Sequence, residues 1–165
     1  MLSPEILEKL KIDECDLPLF NSHRWRAGSW DGKYLTTDIR LPDGRWTCGK
    51  LHRMILNAPS GMQVDHINGD TFDNRRANLR VCTISQNQLN RRKSSGKSSI
   101  YKGVSWRKNI GKWEAYITID GIQKNLGCYI EEIEAARAYD TAATKHFGVF
   151  ANLNFPNLAV FKEPL

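Results

Sequence analysis

Residues 94–99, with the sequence SSGKSS, have the composition of a flexible linker. A chain of 165 residues can form one domain or two small ones, and here the residue pattern changes across the linker. Hydrophobic residues make up 41% of the chain and include five Trp, five Tyr and six Phe, which is ample for globular cores. We therefore expect two modules and find no internal repeat.

The part after the linker has the pattern of a small sheet followed by one helix. Strands are expected at residues 102–107, 113–120 and 122–129, and a helix at residues 131–146. Asp120 and Gly121 form a two-residue hairpin signal between the last two strands. The helix is acidic at its start and meets a stop at Gly148. These features predict a three-stranded antiparallel sheet that packs one face on the helix and leaves the other face free.

The part before the linker mixes short helices and strands. The expected elements are a short acidic helix or tail in residues 1–22, a hairpin at 33–40 and 45–47, a helix at 50–57, and a strand that follows Gly61. Asn68 and Gly69 then form a strong turn signal. The fold class predicted for the whole chain is α+β.

Metal-assisted cleavage of a phosphodiester needs a small set of side chains, and the sequence offers such a set in Asp65, His66, Asn78 and Asn87. This reaction needs a base, and a cation that stabilises the departing oxygen. An unperturbed pKa of about 6.5 makes His66 a competent base near neutral pH. Asp65 and Asn87 offer the oxygen ligands that magnesium takes. The alternative is that His66 is structural and the asparagines form turns.

Local patterns constrain how these groups can meet. Thr83 and Gln86 have the spacing of a capping box, so Asn87 is expected near the start of a helix. Adjacent strand residues point to opposite faces of a sheet. Asp65 and His66 can therefore share a site only if the strand ends or is distorted there, or if metal and base flank the phosphate from different directions.

Four segments, in order, resemble the HNH endonuclease superfamily, in the subgroup of phage and intron-encoded homing enzymes. They are residues 51–53 (LHR), 64–69 (VDHING), 73–76 (DNRR) and 78–87 (NLRVCTISQN). The resemblance implies a ββα-metal (His-Me finger) nuclease module with His66 as the general base. It further implies that Asp65 and Asn87 hold the metal and that Asn78 orients His66.

The donor types indicate which metal to expect. Asn87 stands where many members of that superfamily carry a final histidine, and a subset of homing enzymes makes the same replacement. Because imidazole is the better ligand for zinc and nickel, the oxygen donors favour magnesium, with manganese as the alternative. The four cysteines form no Cys-x-x-Cys pair, so no structural zinc is expected, and Cys82 is predicted to lie in the core.

The net charge of +6 is unevenly distributed. Residues 91–112 contain eight Lys or Arg and no acid, which we interpret as a nucleic-acid track, with a solvated basic linker as the alternative. Six arginines are predicted to hold the phosphate backbone: Arg53, Arg75, Arg76, Arg80, Arg91 and Arg92. For Arg53 a solvated helix-face position is equally expected, and neighbouring His52 is expected to pack or to contact phosphate.

Segments beyond the linker resemble the DNA-binding domain of plant ethylene-response and APETALA-type transcription factors, which is also found fused to phage nucleases. They are residues 101–104 (YKGV), 111–115 (GKWEA), 126–127 (LG), 134–143 (EAARAYDTAA) and 153–156 (LNFP). In that family the sheet lies in the DNA major groove. Strand alternation selects the same face, with DNA contacts expected from Lys102, Ser105, Arg107, Lys112, Tyr116, Thr118, Gln123 and Asn125. The alternative for each is an ordinary solvent-facing residue.

Together these patterns predict a metal-dependent DNA endonuclease of the homing type. The expected domains are an acidic segment (1–22), an HNH nuclease domain (23–92), a basic linker (93–99), an ethylene-response-factor/APETALA-type domain (100–156) and a tail (157–165). The expected partner is double-stranded DNA, bound by a monomer or weak dimer. No apolar run has membrane-spanning length, so a cytoplasmic location is expected, in a bacterial host if the chain is phage-encoded.

Other functions fit parts of the same pattern. A DNA-binding regulator with a vestigial nuclease module is the main alternative. A restriction or packaging role fits the residues as well as a homing role does. Structured RNA is a weaker candidate for the target, because a three-stranded sheet suits the wide major groove of DNA better than the narrow groove of RNA.

Overall fold

The computed structural model of the protein describes residues 2–28, 34–90 and 98–156. Contacts divide the chain into two compact units, Met1–Asn87 and Gln88–Leu165. The helices are α1 (Pro4–Lys9), α2 (Leu17–Asn21), α3 (Leu51–Ile55), α4 (Ile84–Leu89) and α5 (Glu132–Phe147). The strands are β1 (Arg26–Ala27), β2 (Leu35–Arg40), β3 (Trp46–Lys50), β4 (Gln63–His66), β5 (Leu79–Cys82), β6 (Val104–Arg107), β7 (Lys112–Ile119) and β8 (Ile122–Tyr129). A mixed helix-and-sheet fold is thus confirmed, while residues 93–97 of the predicted linker lie outside the described residues.

The first unit contains an antiparallel sheet with the strand order β1-β2-β3. The predicted hairpin is confirmed, and Gly44 in its turn has a φ of +85°, a conformation that glycine adopts without steric cost. Helix α3 follows β3 directly and buries Leu51 and Ile55, which are 0% and 3% exposed. The core of this unit therefore lies between the sheet and α3.

The acidic segment at the start of the chain forms helices and packs on this core. Partly buried apolar side chains contact the core cluster from Leu2, Ile6, Leu10, Ile12, Leu19 and Phe20. The backbone N–H of Lys11 donates to the carbonyl of Phe72 at 2.9 Å, and the N–H of Asn74 donates to the carbonyl of Lys11 at 2.7 Å. The segment is therefore helical, which was one of its two predicted forms. Its backbone hydrogen bonds join it to the loop that follows β4.

Strands β4 and β5 form a two-stranded antiparallel ribbon that α4 follows. The predicted capping box is confirmed. The N–H of Gln86 donates to Oγ1 of Thr83 at 3.2 Å, and the N–H of Thr83 donates to Oε1 of Gln86 at 2.9 Å. Cys82 is fully buried, as predicted. The cap fixes where α4 begins and so sets the position of Asn87.

The second unit is the predicted three-stranded antiparallel sheet, with the order β6-β7-β8, packed on α5. Alanines allow the close packing, since Ala135, Ala136 and Ala143 of the helix are 0% exposed. Gly103 is required at the point of closest approach. A Cβ there would lie 2.0 Å from a ring carbon of Tyr139, and its φ is +72°. Across the described ranges, no helix is long and apolar enough to span a membrane.

Candidate active site and sheet face

Asp65 and His66 occupy the end of β4, and their side chains lie on opposite faces of the ribbon. Asp65 is paired across the ribbon with Arg80, and His66 with Leu79. Both side chains are well covered, with 6% of Asp65 and 4% of His66 exposed. The strand thus ends at His66, and its alternation directs the carboxylate and the imidazole to opposite faces, so both predicted ways of sharing a site stay predictions.

Aromatic rings and an amide surround His66. The His52 ring, on α3, packs edge-on with a centroid distance of 5.0 Å, and Tyr34 lies 6.1 Å away. Oδ1 of Asn74 lies 3.5 Å from Nε2 of His66. Burial lowers the pKa of His66, while the Asn74 contact and nearby carboxylates oppose that shift. The neutral imidazole is favoured, which is the form that can accept a proton.

His52 is held neutral more strongly than His66. Burial, reinforced by the nearby His66, Lys50 and Arg53, lowers its pKa from 6.5 to about 3. Its ring also packs against Tyr34, at a centroid distance of 5.0 Å. Of the two expected roles, packing or phosphate contact, this 5% exposed position favours packing.

The face of the ribbon opposite His66 carries Asp65, which belongs to β4, and Asn87 of α4 contacts the same strand. Nε and Nη2 of Arg80 donate to Oδ2 of Asp65 at 2.9 and 2.7 Å. Gln63 shares the face of Asp65 because it lies two residues earlier in β4. The side-chain amide of Asn87 donates to Oε1 of Gln63. Helix α4 thus brings Asn87 to the face of the ribbon that carries Asp65.

Asn78 fixes the turn that follows His66. Its Oδ1 accepts from the N–H of Asn68 at 3.0 Å, and its Nδ2 donates to Oδ1 of Asn68 and to the carbonyl of Asp73. Its backbone carbonyl accepts from Ile67 at 2.9 Å. Asn74, rather than Asn78, supplies the side-chain oxygen observed beside His66. Asn74 was not among the predicted site residues, although it falls in the 73–76 segment that carries the family resemblance.

The donor set on the Asp65 face fits a hard divalent cation. Within the described residues, the amide oxygen of Asn87 accepts no hydrogen bond, and with the carboxylate of Asp65 it provides two oxygen donors of the kind magnesium prefers. Arg80 competes for that carboxylate as an alternative cation. No cluster of three His, Cys, Asp or Glu side chains suited to a metal occurs in the part of the chain described. An ion held here would take its other ligands from water or substrate.

Four arginines predicted to hold phosphates have partners inside the first unit. Arg53 donates to the carbonyls of Met62, Ala58 and Pro59 and so closes the loop after α3. The other three form ion pairs with carboxylates, as Arg75–Asp73, Arg76–Asp16 and Arg80–Asp65, each at 2.7 Å. Hydrogen bonds from Arg75 lower the pKa of Asp73 to about 2. These contacts were not anticipated, and phosphate binding by the four arginines stays a prediction.

The free face of the second unit carries most of the residues expected to contact DNA. Alternation on β7 directs Ala115 and Ile117 toward α5, at 0% and 2% exposed, and therefore directs their neighbours outward. The outward set on the three strands includes Glu114 and seven of the residues predicted to contact DNA, namely Ser105, Arg107, Lys112, Tyr116, Thr118, Gln123 and Asn125. Polar side chains therefore cover this face.

Lys102 precedes β6, and its predicted contact with DNA stays a prediction. Its Nζ donates to the backbone carbonyl of Leu89, and burial lowers the pKa of its ammonium group. The side chain of Asn154 fixes the backbone of Lys102. Its Oδ1 accepts from the N–H of Lys102 at 2.7 Å, and its Nδ2 donates to the carbonyl of Lys102 at 3.1 Å. Lys102 is thus engaged within the second unit, before β6 begins. Arg91 and Arg92, also predicted to bind DNA, lie outside the described residues.

Comparison with known proteins places the ribbon and α4 in a recognised family segment. Residues 57–89 match a family model described as HNH endonuclease. An uncharacterised HNH endonuclease of Acanthamoeba polyphaga mimivirus is 29% identical over 143 residues, which is 83% of this chain and 70% of that protein. The matched segment contains Asp65, His66, Asn78 and Asn87.

A second group of similar proteins comes from plants. APETALA2-like protein 2 of Oryza sativa is 41% identical over 75 residues, 46% of this chain and 17% of that protein. The AP2-like ethylene-responsive transcription factor TOE2 of Arabidopsis thaliana is 45% identical over 65 residues, 39% of this chain and 13% of that protein. The chain spans less than a fifth of these plant relatives. It thus combines a segment similar to HNH endonucleases with a segment similar to APETALA2-type proteins.

Proposed function

We propose that the protein is a metal-dependent DNA endonuclease in which the first unit cuts and the second unit binds duplex DNA. One observation carries the proposal: β4 holds both Asp65 and the buried His66, and Asn87 of α4 contacts Gln63 of the same strand. A ββα-metal arrangement, here the ribbon with α4, is part of the proposal.

The residues of the site would act as base and ligands. His66 accepts the proton of an attacking water, and its neutral state near pH 7 makes it available for this role. Asn74 and the rings of His52 and Tyr34 hold its imidazole in one orientation. Asp65 and Asn87 hold a divalent ion, magnesium or manganese. When bound, that ion stabilises the charge that develops on the phosphate and on the leaving oxygen.

The sheet face would bring the duplex to this site. Its serine, threonine, amide and basic side chains can donate to phosphates and base edges in the major groove. A homing role follows from the family resemblance alone, and a restriction or packaging role would use the same residues.

Incubation of supercoiled plasmid with the full chain and Mg²⁺ tests the proposal. Nicking or linearisation that EDTA stops and Asp65→Ala abolishes would support it. Lys11→Ala is the control: it keeps the backbone hydrogen bonds of Lys11 and removes a side chain that forms a long, exposed ion pair with Asp70, so it should cut like the wild type. Binding without cutting, across Mg²⁺ and Mn²⁺ and over varied plasmid sequences, would contradict it.

A DNA-binding regulator is the second candidate, and one contact favours it. Oδ2 of Asp65 already accepts two hydrogen bonds from Arg80. If that ion pair persists in the presence of metal and DNA, the guanidinium competes with the metal for the carboxylate and favours a function in binding alone. Metal-dependent cleavage by the wild type that is lost in Asp65→Ala would exclude this candidate.

A further inference from the structure

Glu114 lies in the middle of the sheet face with its side chain only 9% exposed. It belongs to the central strand β7, opposite Ser105 on one side and Cys128 on the other. A glutamate is almost never this buried unless it is paired. A carboxylate is also unfavourable on a surface that must approach phosphates. The position therefore needs an explanation.

The carboxylate joins one side chain from each flanking strand. Nη2 of Arg107, from β6, lies 3.0 Å from Oε1 of Glu114. Nδ2 of Asn125, from β8, donates to the same oxygen at 2.6 Å. The outer strands are thus connected through one oxygen of the central strand.

These contacts leave Arg107, but not Asn125, able to contact a base with its side chain. Oδ1 of Asn125 accepts from the N–H of Gly127 at 2.6 Å, so both ends of its amide are already used within the sheet. A bidentate contact with adenine needs both ends. The side chain of Arg107 is 53% exposed, so it can still present N–H donors outward while Glu114 fixes its direction.

From this geometry we infer that Glu114 is a positioning residue for base recognition: it orients Arg107, and Asn125 braces Glu114 instead of reading a base. The inference rests on the proposed binding of duplex DNA by this face. It corrects the expectation that Asn125 contacts DNA directly. It also assigns the buried carboxylate a role in specificity, because a fixed guanidinium accepts one arrangement of base-edge acceptors and a mobile one accepts several.

The test is selection from a duplex library with a randomised centre, using the full chain with EDTA present so that no strand is cut. The wild type and the variants Glu114→Gln, Arg107→Ala and Asn125→Ala are selected in parallel, and the melting temperature of each is measured. Arg107→Ala identifies the base pair that Arg107 reads. Glu114→Gln should lower the preference at that same pair by about tenfold, while its affinity for the unselected library rises because a negative charge is lost. Asn125→Ala should weaken the preference at the same pair by a smaller factor.

The outcomes separate this inference from the proposed function. If the wild type selects no sequence, the proposed recognition by the sheet fails, and the inference fails with it. If the wild type selects a sequence and Glu114→Gln keeps its preference at the Arg107 pair, the inference alone is overturned. If Asn125→Ala instead loses the sequence preference at a different base pair, Asn125 reads a base, and the bracing role is overturned. Should Glu114→Gln fail to fold, Asn125→Ala still decides the question.

Discussion

The two units use their charged side chains in different ways. In the first unit, Arg75, Arg76 and Arg80 are paired with carboxylates whose side chains are 1%, 4% and 7% exposed. In the second unit, Arg107 is paired in the same way with Glu114, but Lys112 and the uncharged Gln123 are exposed on the sheet face. A catalytic site needs groups held in fixed positions, whereas recognition needs donors that can still reach a partner. The contrast indicates that ion pairs with buried carboxylates stabilise the candidate site of the first unit, whereas the sheet face of the second unit also keeps exposed donors for binding.

Removing Arg80 should cause the largest loss of stability. Arg80→Ala leaves the buried carboxylate of Asp65 without its guanidinium, and breaking such a pair costs about 3–5 kcal/mol. Urea unfolding measures the change. Arg45→Ala is the matched control, since the Arg45–Asp43 pair is largely exposed and screened by water, so its loss should change the unfolding free energy far less. Equal losses in the two variants would remove the distinction between buried and exposed pairs.

The same variant also tests the metal site. If a divalent cation can take the place of the Arg80 guanidinium beside Asp65, millimolar Mg²⁺ should raise the melting temperature of Arg80→Ala more than that of the wild type. Adding Asp65→Asn to Arg80→Ala should abolish the Mg²⁺ effect. An Mg²⁺ effect that survives in the double variant would locate the ion elsewhere.

The dependence of stability on pH should be the next largest effect, and it belongs to the first unit. The pKa of His52 is about 3 in the folded protein and about 6.5 when unfolded, so only the unfolded chain binds a proton between these values. Stability is therefore lost as the pH falls below about 6.5, by at most about 1.4 kcal/mol per pH unit. Urea unfolding at about pH 7 and about pH 5 should show a smaller loss for His52→Gln than for the wild type. Identical losses would mean that His52 does not titrate in this way.

Local patterns predicted the parts of the fold that local interactions determine. The alternation along β7 and the Asp120-Gly121 turn specify the hairpin within a few residues of chain. The Thr83 capping box specifies the start of α4 in the same way. Each depends on residues that are near one another in sequence, so the pattern alone was sufficient.

Contacts between distant residues were not predictable in this way. Arg76 pairs with Asp16, which lies 60 residues earlier, so Arg76 looked like a free phosphate ligand. Asn74 lies beside His66 only because the N-terminal segment and Asn78 fix the loop that contains it. The residue types were visible in the sequence, but their partners depend on the tertiary fold.

Loss of the helix cap should have the smallest effect. Thr83→Ala removes one half of the capping box of α4 and should cost about 1 kcal/mol. Because the cap positions Asn87, cleavage should fall as well. Ser85→Ala, an exposed change in the same turn that removes no cap, is the control and should leave both the unfolding free energy and cleavage near wild type. A similar loss of stability in the two variants would contradict the role of the cap.

The most direct test of the two-unit account measures cleavage and DNA binding side by side in His66→Ala and in Lys112→Ala/Gln123→Ala. His66→Ala should lower the cleavage rate by at least about a hundredfold, while DNA affinity stays close to that of the wild type because the sheet face is proposed to bind the duplex. The reverse is expected for the sheet variant, with weaker binding and a nearly normal cleavage rate once protein saturates the DNA. Loss of binding in His66→Ala, or unchanged affinity in the sheet variant, would contradict the division of cutting and binding between the units.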